Sequence, residues 1–255
     1  MNRPSISNDK ARTLRERADL VLVERGYFES RAKAQEAIAA GLVSVDGNIL
    51  RKASARIDNE AEIAAEAPYP YVSRGGVKLD HALTAFGCEV AGKLCLDIGA
   101  STGGFTDVLL RRGARRVYAV DVGHGQLHAS IAARSEVVAM EGSDARTLTP
   151  AMFDAPPEVV VCDVSFISLK LILPPVLALA AADAALVALI KPQFEAGPRD
   201  LKKGILRDDA RRQEICRDLA DLVTRLGWIV EGIIPSPIEG GDGNREFLIG
   251  ARRHR

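Results

Sequence analysis

The sequence predicts a doubly wound α/β domain with a seven-stranded sheet, preceded by a small α+β module. Apolar strand-like runs alternate with helical patterns from Leu94 onward, which is typical of a mainly parallel sheet covered by helices on both faces. The last two runs, 229–234 and 247–249, are joined by a loop too short for a helix. We therefore expect the last strand to pair antiparallel, because a parallel crossover needs a dozen or more residues.

Composition limits the class of protein. Of the 255 residues, 47% are hydrophobic, which is typical of a globular protein. The 34 basic and 34 acidic residues balance, so any binding of nucleic acid would depend on local basic patches and not on net charge. The charged first residues contain no apolar signal segment, and the most apolar stretch, 170–183, is too short to cross a bilayer. We expect a cytoplasmic protein without a membrane segment. Four cysteines without a C-x-x-C pair predict buried free thiols.

The first residues predict a tail and a small module. Residues 1–16 are polar and lack apolar periodicity, so we expect a flexible tail. Residues 17–66 predict two helices and a hairpin, with Ser30 capping the second helix and Asp46-Gly47 forming the turn. Basic residues around this helix and hairpin could bind RNA phosphates, or form a solvated face. The candidate RNA-binding residues are Arg31, Lys33, Arg51, Lys52 and Arg56.

A proline-rich linker separates the module from the α/β domain. In residues 67–73, Pro68 and Pro70 hold themselves and their predecessors extended, which predicts a semi-rigid segment. Residues 74–255 then form the α/β domain. Its first helix begins after Ser73 and carries Lys78 in its second turn.

The α/β domain is organised around a glycine-rich bend. A buried strand, 94–98, ends in the bend, and a helical pattern begins at Phe105, so the backbone can approach a ligand closely. Its glycines do not follow the G-x-G-x-x-G spacing of dinucleotide-binding loops, and the carboxylate of Asp97 favours a cationic group over a phosphate. S-adenosylmethionine (SAM), with its ammonium and sulfonium, is the candidate cofactor. A simple strand-to-helix turn is the alternative.

Further polar residues lie at the carboxyl ends of the strands, where ligands bind in open α/β sheets. Asp121 is placed to accept both ribose hydroxyls of the cofactor, and Asp144 to accept its adenine amino group. The candidate cofactor-binding residues are Asp97, Gly99, Ala100, Ser101, Thr102, Gly103, Gly104, Phe105, Asp121, Val122, Asp144 and Ala145. His124 and His128 could touch the cofactor or be solvated. No His/Cys cluster has metal-ligand spacing, so no metal is expected.

A second polar set, in chain order Lys78, Asp163, Lys191 and Glu246, is expected at the same edge of the sheet. It resembles the Lys-Asp-Lys-Glu tetrad of FtsJ-type SAM-dependent ribose 2′-O-methyltransferases. A ribose 2′-hydroxyl must lose its proton as it attacks a methyl group, and a lysine can take that proton if a nearby ammonium lowers its pKa. We assign Lys191 as the general base; Lys78 is the alternative, because such groups titrate together. Phe194 could stack on a base or pack in the core.

The motifs together resemble the TlyA/hemolysin A family. In the first module the resemblance is to the S4 RNA-binding domain and rests on Ser30-Arg31-Ala32-Lys33-Ala34 and on Asp46-Gly47. In the second domain it rests on Ser73-Arg74-Gly75-Gly76-Val77-Lys78, on 97–107, on Asp121-Val122-Gly123-His124-Gly125, on Asp163-Val164-Ser165-Phe166, on Lys191-Pro192-Gln193-Phe194 and on Asn244-Arg245-Glu246-Phe247.

The resemblance implies a class I methyltransferase fold of the Rossmann-like type, SAM as cofactor, and 2′-O-methylation of cytidine in ribosomal RNA. It implies ribosomal RNA or an assembled ribosomal subunit as the partner. The linker has Tyr-Pro-Tyr in place of the tryptophan-bearing segment of some members, which leaves the target open between 16S RNA, 23S RNA and both. Three alternatives are a non-catalytic RNA-binding protein, a hemolysin-type pore-forming protein and a small-molecule methyltransferase.

Overall fold

The computed structural model describes residues 15–240 and 243–253. The chain divides into two compact units, Met1–Pro70 and Tyr71–Arg255. Most of the expected tail, residues 1–14, lies outside the described residues. Arg15 and Glu16, which we expected in the tail, lie in a strand, β1 (Arg15–Arg17), that pairs antiparallel with β4 (Arg56–Asp58).

The first unit has the two helices and the hairpin that the sequence predicts. Ser30 caps the second helix by accepting a hydrogen bond from the Lys33 amide. Asp46 and Gly47 both have positive φ, as a two-residue hairpin turn requires. Leu22, Ile38 and other apolar side chains form a core of its own. Besides β1 and β4, the elements are α1 (Ala18–Glu24), α2 (Arg31–Ala39), β2 (Val43–Val45), β3 (Asn48–Ile49) and β5 (Ile63–Ala65).

The second unit is a seven-stranded sheet with helices on both faces. From one edge to the other, the strands are β13 (Ile229–Pro235), β14 (Phe247–Arg252), β10 (Ala185–Ile190), β9 (Val159–Cys162), β6 (Leu94–Ile98), β7 (Arg116–Asp121) and β8 (Val137–Glu141). Strand β14 runs antiparallel to the other six. This confirms the predicted architecture. The elements are α3 (Gly75–Ala85), β6 (Leu94–Ile98), α4 (Gly104–Arg111), β7 (Arg116–Asp121), α5 (Ala129–Ala132), β8 (Val137–Glu141), β9 (Val159–Cys162), α6 (Leu169–Ala178), β10 (Ala185–Ile190), α7 (Pro192–Glu195), β11 (Leu201–Lys202), β12 (Ile205–Leu206), α8 (Asp209–Arg225), β13 (Ile229–Pro235) and β14 (Phe247–Arg252).

The alternation of side chains along β6 divides the core into two layers. Leu94, Leu96 and Ile98 pack with the α6 and α8 side chains on one face, whereas Cys95 packs with α3 and α4 on the other. The same alternation directs Asp97 toward α4. A carboxylate is thereby held inside an apolar layer, directly beneath the glycine-rich bend.

The four cysteines are all buried free thiols, as predicted. Burial raises the pKa of Cys95 to about 12 and that of Cys216 to about 11, so these thiols stay protonated near neutral pH. Within the two described ranges, no helix has the length and apolar content needed to cross a membrane. The same ranges contain no group of three or more His, Cys, Asp or Glu side chains arranged to hold a metal ion.

Candidate active site

The bend after β6 has a conformation that requires glycine at two positions. Gly99 and Gly103 have φ of 81° and 92°, in the left-handed region. A Cβ atom on Gly99 would lie 2.4 Å from the carbonyl oxygen of Asp163, and one on Gly103 would lie 2.8 Å from Leu127 Cδ1. The bend is therefore pressed against two neighbouring loops, and no side chain could be added without moving them.

Asp97 is a fully buried carboxylate with one unused oxygen. Its Oδ2 accepts a hydrogen bond of 2.6 Å from Thr106 Oγ1, whereas Oδ1 has no hydrogen-bond partner among the described residues. Burial raises the pKa of Asp97 to about 7, and the negative charge of Asp163 adds to the shift. A cation bound at the bend would stabilise the ionised form, so this part of the site fits the ammonium of SAM.

A cavity of about 460 Å³ opens beside the bend, a size typical of small-molecule sites. Six of the predicted cofactor residues line it: Gly99, Ser101, Asp121, Val122, Asp144 and Ala145. Asp163 also lines it, together with Ser165 and Phe166. Phe105 instead lies in the core beside Gly75. Ala100, Thr102, Gly103 and Gly104 form the bend and the start of α4 without lining the cavity.

Asp121 is fixed at the end of β7 by two backbone amides. Its Oδ2 accepts from the Ser101 amide at 2.8 Å and its Oδ1 from the Gly123 amide at 2.7 Å. Each carboxylate oxygen keeps a second lone pair, which can accept a hydrogen bond from a ribose hydroxyl. The geometry therefore suits the role predicted for Asp121.

Asp144 has a partner that the sequence analysis did not identify. Both of its carboxylate oxygens contact the Arg146 guanidinium, with the shortest distance 2.6 Å, and one also accepts from the Arg146 amide. These hydrogen bonds lower the pKa of Asp144 to about 2. Because Arg146 occupies the oxygens expected to receive an adenine amino group, the adenine contact predicted for Asp144 would require this pair to open.

Glu141 organises the loop after β7, a role that no pattern in the sequence indicates. Its carboxylate accepts hydrogen bonds from the amides of Gly125, Gln126 and Leu127 at 2.9, 2.8 and 3.0 Å, which lower its pKa. Gln126 lines the cavity, so Glu141 holds part of the cavity wall in place. Neither histidine of this loop lines the cavity, and His128 caps α5 by accepting from the Ser130 amide.

The four predicted catalytic residues form two ion pairs. Lys191 Nζ lies 2.6 Å from Asp163 Oδ1 and donates to Ser165 Oγ at 2.8 Å. Lys78 Nζ lies 2.6 Å from Glu246 Oε2, and these two side chains are only 8% and 3% exposed. Each lysine thus has its own carboxylate partner.

The sheet register places the two ion pairs at the same edge. Ile190 of β10 pairs with Phe247 of β14. Because the two strands are antiparallel, Lys191 and Glu246 both come next to this pair on the same side. Neighbouring strands lie roughly 4.8 Å apart. Helix α3, which carries Lys78, packs against β10 and β14. The register therefore places Lys191 close to Glu246 where the antiparallel strand begins, and each has its own ion-pair partner, Asp163 and Lys78.

Phe166 is a further residue that the sequence analysis did not assign. Its side chain is 91% exposed, lines the mouth of the cavity and has φ of 63°, an unusual conformation for a bulky residue. Its ring centroid lies 5.0 Å from that of Phe194, which is half-buried. Exposing an aromatic ring to water is unfavourable, so this arrangement indicates a surface that a ligand covers.

In the first unit, a buried carboxylate holds two arginines. Asp19 is 0% exposed and accepts hydrogen bonds from Arg17, Arg31 and Gln35, which keep its pKa well below the usual range. Arg31 was predicted to bind RNA; Arg17 was not. Of the other predicted RNA-binding residues, Lys33 lies near Glu29 and the Tyr69 ring, whereas Arg51, Lys52 and Arg56 are exposed.

The sequence matches two known families, FtsJ-like methyltransferase over residues 71–253 and S4 domain over residues 16–63. It is 43% identical to the Mycobacterium tuberculosis 16S/23S rRNA (cytidine-2′-O)-methyltransferase TlyA over 93% of this chain and 90% of that protein. It is 34% identical to the 23S rRNA (cytidine-2′-O)-methyltransferase TlyA of Campylobacter jejuni, over 96% and 94% of the two chains. A solved Streptococcus thermophilus protein named as a hemolysin has 40% identity and a TM-score of 0.75, covering 94% of this chain and 89% of its own.

The fold, the cavity and these matches define the class: a SAM-dependent methyltransferase of class I, preceded by an S4 domain. The antiparallel strand within an otherwise parallel sheet is the arrangement expected for that class. Within the class, the chain belongs to the TlyA/hemolysin A family of S4-containing FtsJ-like methyltransferases.

Proposed function

We propose that this protein transfers a methyl group from SAM to the 2′-hydroxyl of a cytidine in ribosomal RNA, as its two TlyA relatives are named to do. Residues 17–66 would act as the RNA-binding domain, and residues 74–255 as the catalytic domain, with 67–73 as linker. The observation that supports the proposal best is the pair of Lys191 with Asp163, since the Asp163 side of this pair lines a cavity of cofactor size.

Bound SAM supplies an electrophilic methyl carbon next to a positive sulfonium. Asp97 and Asp121 would hold the ammonium and ribose of the cofactor, and Gly99 and Gly103 would let the backbone come close. Asp163 and Ser165 line the cavity and both contact Lys191. A ribose bound there would present its 2′-hydroxyl to Lys191, which, once it has lost its own proton and is a neutral amine, would take the hydroxyl proton as the oxygen attacks the methyl carbon.

The ammonium that forms on Lys191 would be neutralised by Asp163 at 2.6 Å. This pairing supports Lys191 over Lys78 as the general base, since the partners of Lys191 line the cavity. The partner of Lys78, Glu246, does not. Lys78 and Glu246 form a buried ion pair whose opposite charges cancel, and this pair would hold the start of β14 in position. Such positioning of reacting groups contributes to catalysis without direct proton transfer.

The first unit would dock the RNA through arginines whose orientation is already fixed. Arg17 and Arg31 are 43% and 51% exposed, yet both are anchored on buried Asp19. Guanidinium groups held in this way lose less side-chain freedom when they bind phosphate. Arg51, Lys52 and Arg56 add exposed positive charge to the same unit.

Methyl transfer from radiolabelled SAM to ribosomal RNA and to isolated ribosomal subunits tests the proposal. The labelled product should be RNA, and nuclease digestion should return 2′-O-methylcytidine. If the label instead passes a filter that retains intact RNA, without any nuclease treatment, the protein is a small-molecule methyltransferase. Binding to RNA without label transfer would indicate a non-catalytic protein, and lysis of erythrocytes by the purified protein would support a pore-forming role.

We expect the affinity for SAM to fall at acidic pH because of Asp97. Its pKa of about 7 means that the carboxyl is protonated at lower pH, where it no longer attracts the ammonium of SAM. Affinity should therefore fall by up to about tenfold per pH unit below pH 7. Titration calorimetry with the demethylated product of SAM measures this. In Asp97→Asn, binding should be weaker at pH 7 and nearly independent of pH, whereas a similar fall in both proteins would exclude Asp97 as the cause.

We expect Phe166→Ala to reduce the rate of RNA methylation without lowering the stability of the fold. The ring is exposed and lies beside Phe194, so we propose that it stacks on the target base; such stacking is worth roughly 1–3 kcal/mol per base. The kcat/KM for RNA should therefore fall by about tenfold or more, with KM for SAM and Tm unchanged. Phe166→Tyr should retain most activity. Equal losses in both variants would argue against stacking.

A further inference from the structure

A basic hairpin follows the catalytic lysine and has no role in the mechanism above. It comprises β11 and β12 with their flanking residues, 198–207, and we call it the basic hairpin. Four of its side chains are exposed cations: Arg199, Lys202, Lys203 and Arg207. Among the described residues, none of these four cations has an ion-pair partner. Cations clustered in this way, without neutralising partners, indicate a surface for an anionic ligand.

The nearby acidic residues do not neutralise these cations. Asp200 pairs with Arg211 at 3.1 Å, and Asp209 pairs with Arg212 at 3.2 Å. Asp208 caps α8 by accepting from the Arg211 amide at 3.2 Å. The acids thus bind residues of α8, and the positive charge of the hairpin remains available.

The tip of the hairpin places a lysine where the backbone favours other residues. Lys202 pairs with Ile205, which leaves a two-residue turn of Lys203 and Gly204 with φ of 53° and 77°. Turns with positive φ at both positions strongly prefer Asn, Asp or Gly at the first of them. A lysine there is a strained choice, and strain of this kind concentrates at functional positions.

The hairpin is fastened to the catalytic edge at two points. Asn244, only 2% exposed, accepts from the Leu206 amide at 3.2 Å and donates to the Gly204 carbonyl oxygen at 3.1 Å. Asn244 precedes the tetrad residue Glu246 by two positions. On the other side, β12 packs against α7, which begins immediately after Lys191. The cations are therefore held at a fixed position relative to the tetrad.

We propose that the basic hairpin binds the phosphodiester backbone of the substrate RNA next to the target nucleotide. This inference rests on the proposed function, since it assigns a second RNA-binding surface to the same reaction. Lysine and arginine contacts to phosphate give affinity and position the strand without reading its sequence. The S4 domain would then capture the RNA, while the basic hairpin would hold the strand at the active site.

Lys203→Asn tests the proposal, because it removes a charge and supplies the residue that the turn prefers. The dissociation constant for a ribosomal RNA fragment should rise roughly five- to tenfold at 0.1 M salt, and the slope of log K against log salt should fall by about one. The double variant with Lys202→Gln and Lys203→Asn should raise the dissociation constant by roughly thirtyfold or more. Tm should be unchanged or higher, and KM for SAM should not change.

Arg115→Asn is the matched control, because Arg115 is an exposed cation that precedes β7 at the opposite edge of the sheet. It should leave the dissociation constant and the salt slope within twofold of wild type. A Lys203→Asn protein with wild-type affinity and slope would overturn the inference, as would an equal loss in Arg115→Asn. Competition by polyglutamate as strong as by RNA would also overturn it. If the basic hairpin does not bind RNA, the wild-type protein should still methylate RNA. If the wild-type protein does not methylate RNA, the proposed function itself is wrong.

Discussion

Replacement of Lys191 by alanine is expected to reduce the rate of methyl transfer to RNA by a factor of roughly 10²–10⁴, the usual contribution of a general base. The amine of Lys191 lies 2.6 Å from Asp163 and 2.8 Å from Ser165, two residues that line the cavity. Under the proposed mechanism, the variant lacks the group that takes the proton of the 2′-hydroxyl. Single-turnover transfer of a labelled methyl group measures the chemical step without interference from product release.

Two controls separate lost catalysis from lost structure. Lys170→Ala removes a lysine that is 44% exposed and pairs with Asp218, and it should change the rate less than twofold. Calorimetry should show that Lys191→Ala binds SAM with nearly wild-type affinity. If Lys191→Ala keeps more than about a tenth of the wild-type rate while Lys78→Ala abolishes transfer, the proton acceptor is Lys78, and the roles of the two pairs must be exchanged.

Breaking the pair of Lys78 and Glu246 from one side is expected to destabilise the fold by roughly 3–5 kcal/mol. Both side chains are almost fully buried and lie 2.6 Å apart. Glu246→Gln leaves an ammonium in the interior without a counter-charge, and Lys78→Met leaves a carboxylate in the same position. Urea unfolding of each variant measures the loss.

The double variant distinguishes a charge effect from a packing effect. Lys78→Met with Glu246→Gln leaves no buried charge unpaired, so its loss should be clearly smaller than the sum of the two single losses. The exposed pair of Lys170 and Asp218 provides the matched comparison, and breaking it should cost less than about 1 kcal/mol. Additive losses at Lys78 and Glu246 would show that their mutual attraction contributes little.

The strands of the second unit could be predicted well because their signal is local. The runs at Leu94–Ile98 and Val159–Cys162 coincide with β6 and β9, since buried parallel strands are continuous apolar segments. The antiparallel pairing of β13 with β14 followed from loop length alone, and the structure confirms it. The positions of Asp163, Lys191 and Glu246 at one edge follow from strand order.

Features that depend on distant contacts could not be predicted. The residue pattern of 126–134 favours a helix over this whole stretch. In the structure α5 covers only Ala129–Ala132, because Glu141 accepts hydrogen bonds from the preceding amides and holds them in a loop. Strand β1 exists through its pairing with β4, some forty residues away in sequence. Two local features were not predicted either, the pairing of Asp144 with Arg146 and the left-handed conformation of Phe166, because residue patterns do not report side-chain rotamers or single backbone angles.

The position of β14 between β10 and β13 affects the order in which the activities of this enzyme can arise during folding. The residues that line the cavity all lie between Ile98 and Ile172, whereas Glu246 enters with the β13–β14 hairpin. This hairpin follows every cavity-lining residue in the sequence, so it is completed last as the chain is synthesised. A chain that has assembled β6 to β9 before this hairpin docks would already have its methyl-donor cavity, yet Lys78 would lack its counter-ion. Under the proposed mechanism, methyl transfer would then be the last property that the folding chain acquires.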